Sequence, residues 1–84
     1  MYEIIIPEPF ARELQKLEDK EQKRIKKKLV SAKNNPWLYF QRLTGHELFR
    51  ARIGKYRVIA SISAREKKIY CLSVMHRKNA YKKL

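Results

Sequence analysis

Phe49-Arg50-Ala51-Arg52-Ile53-Gly54-Lys55-Tyr56-Arg57-Val58-Ile59 is the stretch that decides how this chain folds, because it reads as a β-hairpin. Phe49, Ala51 and Ile53 alternate with Leu48, Arg50 and Arg52, and Tyr56, Val58 and Ala60 alternate with Arg57 and Ile59. That two-residue period belongs to strands with one face buried. Gly54-Lys55 fits a two-residue turn of the Gly-X kind, in which glycine supplies the positive φ of the first position. The turn then fixes the register, with Ile53 opposite Tyr56, Arg52 opposite Arg57 and Arg50 opposite Ile59. Arg50, Arg52 and Arg57 fall on one face.

Two arginines set directly opposite each other repel, so the hairpin would be more stable with one of them neutral. Guanidinium groups are planar, bidentate donors matched to phosphate, and they keep their charge at any working pH. Three on one rigid surface describe a phosphate-binding platform. The competing reading of the same residues is a set of long basic side chains solvating the outer face of a sheet.

The 84 residues make one domain, 1–84, with a single modest core. Lys and Arg number 21 against 8 Asp and Glu, for a net charge of +13. The charge is uneven: residues 1–21 hold six acids and three bases, net −3, so the remainder carries +16. Such a field favours nucleic acid, anionic lipid or an acidic protein as partner. Cys71 is the sole cysteine, which rules out an internal disulfide or a cysteine zinc cluster. The apolar run Ile4-Ile5-Ile6 is too short for a signal peptide or a membrane span, and a cytoplasmic protein with no cofactor or metal is expected.

Upstream of the hairpin, Tyr2–Ile6 is a β-branched strand stopped by Pro7. Phe10, Leu14 and Leu17 recur at helical spacing, which predicts a short amphipathic helix near Pro9–Leu17. Asp19 followed by Gln22 resembles a capping box for a second helix, which carries Ile25, Leu29 and Ala32 on one face and ends at Asn34-Asn35-Pro36. Lys23, Arg24, Lys26, Lys27 and Lys28 crowd its solvent side, either as a solvated face or as a stripe that tracks a nucleic-acid backbone. Trp37 and Phe40 are expected to cover one edge of the core, and Gln41–Glu47 to form a loop. Downstream, Lys68–Met75 alternates as a further strand after the polar connection Ala64–Lys67, with Cys71 as a small core residue. The terminal segment adds His76, whose ordinary pKa lies near neutrality, the fixed cation Arg77, and Tyr81, which could stack on a base.

These residues together resemble the RelE/ParE superfamily of toxin–antitoxin toxins, on the RelE side. The resemblance spans essentially the whole chain. Its specific part is the hairpin R-x-R-x-G-x-Y-R at Arg50–Arg57, followed by H-R-x-x-x-Y at His76–Tyr81. It implies an α+β fold, a small antiparallel sheet of about four strands with the helical hairpin packed on one face, in the order β-α-α-β-β-β.

The resemblance further implies a ribosome-dependent endoribonuclease that cuts messenger RNA in the ribosomal A site and so inhibits translation. The 2′-OH of a ribose attacks the adjacent phosphate, leaving a 2′,3′-cyclic phosphate and a 5′-OH. By position, Arg50 and Arg52 match basic strand residues of the family, Arg57 the arginine at the scissile phosphate, Arg77 the C-terminal arginine, and Tyr81 the tyrosine that stacks on the base. Arginine is a poor general base near neutral pH, which leaves His76, Tyr81, Glu47 or ribosomal RNA to align the nucleophile. Lys23, Lys26, Lys27, Lys55 and Lys78 are the expected RNA-backbone contacts. A small acidic antitoxin that wraps the toxin is the implied partner, beside the ribosome and mRNA. Two other classes stay open: a ParE-like inhibitor of DNA gyrase, and a non-catalytic basic RNA-binding module.

Overall fold

The computed structural model describes residues 1–78. In chain order the elements are β1 (Glu3–Ile5), α1 (Glu8–Gln15), α2 (Asp19–Ala32), a 3₁₀ turn (Pro36–Leu38), β2 (Phe40–Arg42), β3 (Phe49–Ile53), β4 (Tyr56–Ser63) and β5 (Lys68–His76). The five strands form one sheet in the order β1-β5-β4-β3-β2.

The β3–β4 hairpin pairs as its turn residues dictate, with Ile53 opposite Tyr56, Arg52 opposite Arg57 and Arg50 opposite Ile59. Gly54 has φ +61°, while Lys55 keeps a negative φ. A positive φ at the first turn position alone is the type II′ pattern, whose twist matches that of the strands it joins.

Two features depart from the expected sheet. Phe40–Arg42 forms a short strand against β3, where a loop is expected from Gln41 onward. β1 pairs with β5 in parallel, so the sheet is mixed and has five strands. The physical reason is the connection: α1 and α2 intervene between β1 and the hairpins, and such a crossover returns the chain in either direction.

The core lies between the sheet and the two helices. Phe10 and Leu14 from α1 and Ile25, Leu29 and Ala32 from α2 meet Phe40, Ala51, Ile53, Val58, Ala60, Ile69, Cys71 and Val74 from the strands. Burial pushes the Cys71 thiol up to about 12. It therefore behaves as a small apolar group. The capping box is not made. Glu18 occupies the N-cap position of α2 without a side-chain hydrogen bond. Gln22 Nε2 instead donates to the carbonyl of Leu17 at 2.9 Å, closing the turn between the helices. Phe40 is buried as expected, whereas Trp37 is half exposed and leans edge-on against Tyr2 and Phe49.

The β4–β5 pairing is interrupted by a bulge. Ile59 of β4 faces Ser73 and Ala60 faces Cys71, so Leu72 has no partner on β4. Ile69 and Cys71 point to the core before the bulge, and Val74 does so after it. One extra residue reverses the phase of everything that follows. Without it, Val74 would oppose Arg57 and His76 would share the outer face. Glu13 Oε1 of α1 accepts a hydrogen bond from the Val74 N–H at 3.3 Å, beside the irregularity.

Candidate functional site

The arginine face is built by register. Opposed residues project to the same side of a sheet, so Gln41, Arg50, Arg52, Arg57, Ile59, Ser73 and Met75 share the face turned away from the helices. Ile59 and Met75 are buried although they lie on this outer face. The guanidinium groups thus stand over an apolar floor, where an ionic contact to phosphate is screened less than in open water.

Arg57 is held in place by its own turn. Its Nη1 donates to the Tyr56 carbonyl at 3.1 Å and to the Gly54 carbonyl at 3.5 Å. Its Nε is buried and has no hydrogen-bond partner among the described residues. A buried donor of this kind is costly unless something accepts from it, and a phosphate oxygen is a suitable acceptor. Arg52, directly opposite, is exposed. The turn itself is braced from α2. Arg24 Nη1 lies 2.7 Å from where a Cβ on residue 54 would stand. Glycine is favoured there by its φ, whereas the Arg24 side chain is long and half-exposed and could swing aside.

The bulge decides which C-terminal residues join this face. His76 pairs with Tyr56 and packs edge-on against its ring at 5.4 Å, on the helix side of the sheet. The structure therefore does not bring His76 together with the three arginines. Its Nδ1 accepts the Lys78 N–H at 3.2 Å, which leaves Nε2 to carry the proton in the neutral ring. Arg77 follows β5 in a turn, where its N–H donates to the Lys55 carbonyl at 2.7 Å. Tyr81 lies outside the described residues. Glu47 sits in the β2–β3 loop, at the end of β3 away from the Gly54 turn. No carboxylate or imidazole stands among the arginine-face positions named above.

A groove continues this face toward the helices. It encloses about 310 Å³ and is lined by Lys28, Leu38, Tyr39, Gln41, Arg50 and Arg52. Lys28 Nζ sits 5.4 Å from the centre of the Tyr39 ring, within cation–π range. An adjoining hollow of about 350 Å³, lined by Arg24, Lys27, Lys28, Ser31 and Tyr39, shares Lys28 and Tyr39 with the first. The two make a continuous basic track from the hairpin along α2.

The expected RNA contacts divide along this helix. Arg24, Lys27, Lys28 and Ser31, spaced i, i+3, i+4, i+7, line the track, whereas Lys26 lines a different hollow beside β1. Lys23, Lys55 and Lys78 are exposed outside the track. Tyr39 and Gln41 also line the groove, Gln41 from the three-residue β2 and Tyr39 from the residue just before it. Among the described residues, no group of three or more His, Cys, Asp and Glu side chains is placed to hold a metal ion. Among them, too, no helix is long and apolar enough to cross a membrane.

Comparison with known proteins bears on the fold and the family. No curated protein matches the chain by sequence. Among solved structures, the RelE–RelB complex of Pyrococcus horikoshii contains a chain 28% identical, with a TM-score of 0.79 over 94% of this chain and 98% of that one. The RelBE2 toxin–antitoxin complex of Mycobacterium tuberculosis matches at 23% identity and a TM-score of 0.80, over 90% and 98% of the two chains. The RelBE complex of Escherichia coli matches at 21% identity and 0.76, over 90% and 96%. The sequence profile of the ParE toxin of type II toxin–antitoxin systems matches residues 4–81. The chain belongs to that family of toxins, within the RelE/ParE superfamily, and carries the RelE fold.

Proposed function

We propose that this chain is a ribosome-dependent endoribonuclease that cuts messenger RNA in the ribosomal A site. The observation that carries the reading is the single face on which Arg50, Arg52 and Arg57 converge over Ile59 and Met75. In such a reaction the 2′ oxygen bonds to phosphorus, the bond to the 5′ oxygen breaks, and charge grows on the two non-bridging oxygens. Guanidinium groups aimed at those oxygens lower the barrier without transferring a proton. Removing the 2′ proton and supplying one to the departing 5′ oxygen falls to groups other than arginine. With no imidazole or carboxylate among the named face positions, those steps are assigned to Tyr81 or to ribosomal RNA, which explains why the cut would need the ribosome.

The toxin is further proposed to be held inactive by a small acidic antitoxin, as the neighbouring structures are complexes of toxin with antitoxin. The match to the ParE profile favours a second reading, inhibition of DNA gyrase without cleavage. One paired experiment separates them. Purified chain is added to a reconstituted translation reaction and, separately, to a gyrase supercoiling assay. Arrested translation with unaffected supercoiling supports the nuclease. Blocked supercoiling with intact messages would replace it by the second reading.

A further inference from the structure

On the other flank of α2 lies a hollow unlike the basic track. It encloses about 340 Å³ and is lined by Ile4, Ile6, Leu29 and Val30, with Lys26 and Lys33 as its charged members. Val30 is 63% exposed and Ile6 43%. Every other exposed position of α2 carries a charge: Asp19, Lys20, Lys23, Arg24, Lys26, Lys27 and Lys28. A valine open to solvent among them is out of pattern for a solvated helix face. The hollow is also braced at one end. The Tyr2 N–H donates to the Lys33 carbonyl at 2.7 Å, tying β1 to the end of α2. β1 has a neighbour on one side only, so its outer edge offers unpaired backbone groups to an extended chain.

We infer that this hollow anchors the antitoxin, through a segment that places aliphatic side chains against Ile4, Ile6, Leu29 and Val30 and carboxylates on Lys26 and Lys33. The inference rests on the acidic partner proposed above, and it gives that partner a place apart from the arginine face. Charge decides between occupants. Four aliphatic side chains offer nothing to a phosphate backbone, so RNA gains only the two rim lysines. A second copy of the chain, docked about a twofold axis, would set Lys26 and Lys33 against their own counterparts. An acidic amphipathic segment satisfies both the apolar walls and the cations. It would hold the toxin without itself touching Arg50, Arg52 or Arg57, leaving another part of the partner to cover them.

The test uses the full chain and the protein encoded by the reading frame adjoining its gene. Binding is measured by calorimetry, and the contact is mapped through methyl resonances of the isotope-labelled chain. Ile4, Ile6, Leu29 and Val30 methyls should shift, and Val30→Asp and Ile6→Asp should each weaken binding at least about 30-fold, the loss of a buried aliphatic contact plus a carboxylate facing acidic side chains. Leu72→Asp, at an aliphatic side chain as exposed as Ile6 but outside the hollow, should leave affinity unchanged. Circular dichroism of each variant checks that it is folded. Failure of the adjoining product to bind, shifts confined to other methyls, or a concentration-dependent dimer whose contact maps to these four residues would overturn the inference. Translation arrest by the free chain is read separately, so a chain that binds its partner here but arrests nothing refutes the nuclease and leaves the anchor standing.

Discussion

Replacing Arg52 by glutamine should stabilise this protein while disabling it. Arg52 and Arg57 are directly opposed on β3 and β4, and Arg52 is exposed. Guanidinium groups on opposed residues stand ~6 Å apart, and at an effective dielectric of ~60 their repulsion is about 1 kcal/mol. Side-chain freedom lets them lean apart, so Arg52→Gln should gain ~0.5–1 kcal/mol, which for a domain of this size raises Tm by roughly 2–8 °C. The gain is electrostatic and must fade with salt. In 1 M NaCl, where the Debye length is ~3 Å, less than about a third should survive. Thermal unfolding followed by circular dichroism in 20 mM and 1 M salt measures both effects. The same variant should cut ribosome-bound message about 100-fold more slowly, the usual cost of removing one donor from a developing oxyanion. A lower Tm for Arg52→Gln at low salt, or a gain untouched by 1 M NaCl, would refute the idea that these arginines are held together at a cost to the fold.

Three further outcomes follow from the geometry. Arg57→Lys should recover little of the cleavage lost in Arg57→Ala, because an ammonium cannot present a planar, bidentate fork to phosphate; single-turnover rates on ribosome-bound message give the comparison. His76→Ala should lose about 1 kcal/mol of stability with its contact to Tyr56, yet leave cleavage within about threefold of wild type and its pH profile without a change near neutrality; chemical denaturation and rate measurements between pH 5.5 and 8.5 test both halves. Cys71 should resist a thiol reagent at pH 8 until the protein unfolds. Since its folded pKa is raised, the unfolded chain releases the proton first as pH climbs above ~8.5, and stability falls between there and about 12. Titration of unfolding free energy against pH in wild type and Cys71→Ala should show the decline reduced in the variant.

The sequence is most readable where local chemistry is strongest. Gly54-Lys55 demands one turn geometry, and the turn dictates the pairing of every arginine around it. The helices are legible from Phe10, Leu14, Ile25 and Leu29, whose spacing fits one buried face each. What escapes reading has few residues behind it. β2 is three residues long and owes its pairing to β3 rather than to any propensity of Phe40-Gln41-Arg42. The bulge at Leu72 leaves no composition signal, since Leu72 is as strand-compatible as its neighbours. It nonetheless moves His76 off the arginine face. A histidine five residues before the last tyrosine is thus conspicuous in sequence yet lies off the arginine face, while Tyr39 lines the groove. Helical spacing could have separated Lys26 from Lys27 and Lys28, because those residues fall on different flanks of α2.

The central claim is that the arginine face, without a proton-transfer group of its own among the positions named, cuts RNA only when the ribosome presents it. Mapping message ends after adding purified chain to translating ribosomes, with the same RNA free in solution alongside, tests it most directly. The account predicts new 3′ ends bearing 2′,3′-cyclic phosphate at the codon in the A site, their loss with Arg57→Ala, and intact free RNA. Equal cleavage of the free RNA, or cuts that persist undiminished in Arg57→Ala, would contradict it.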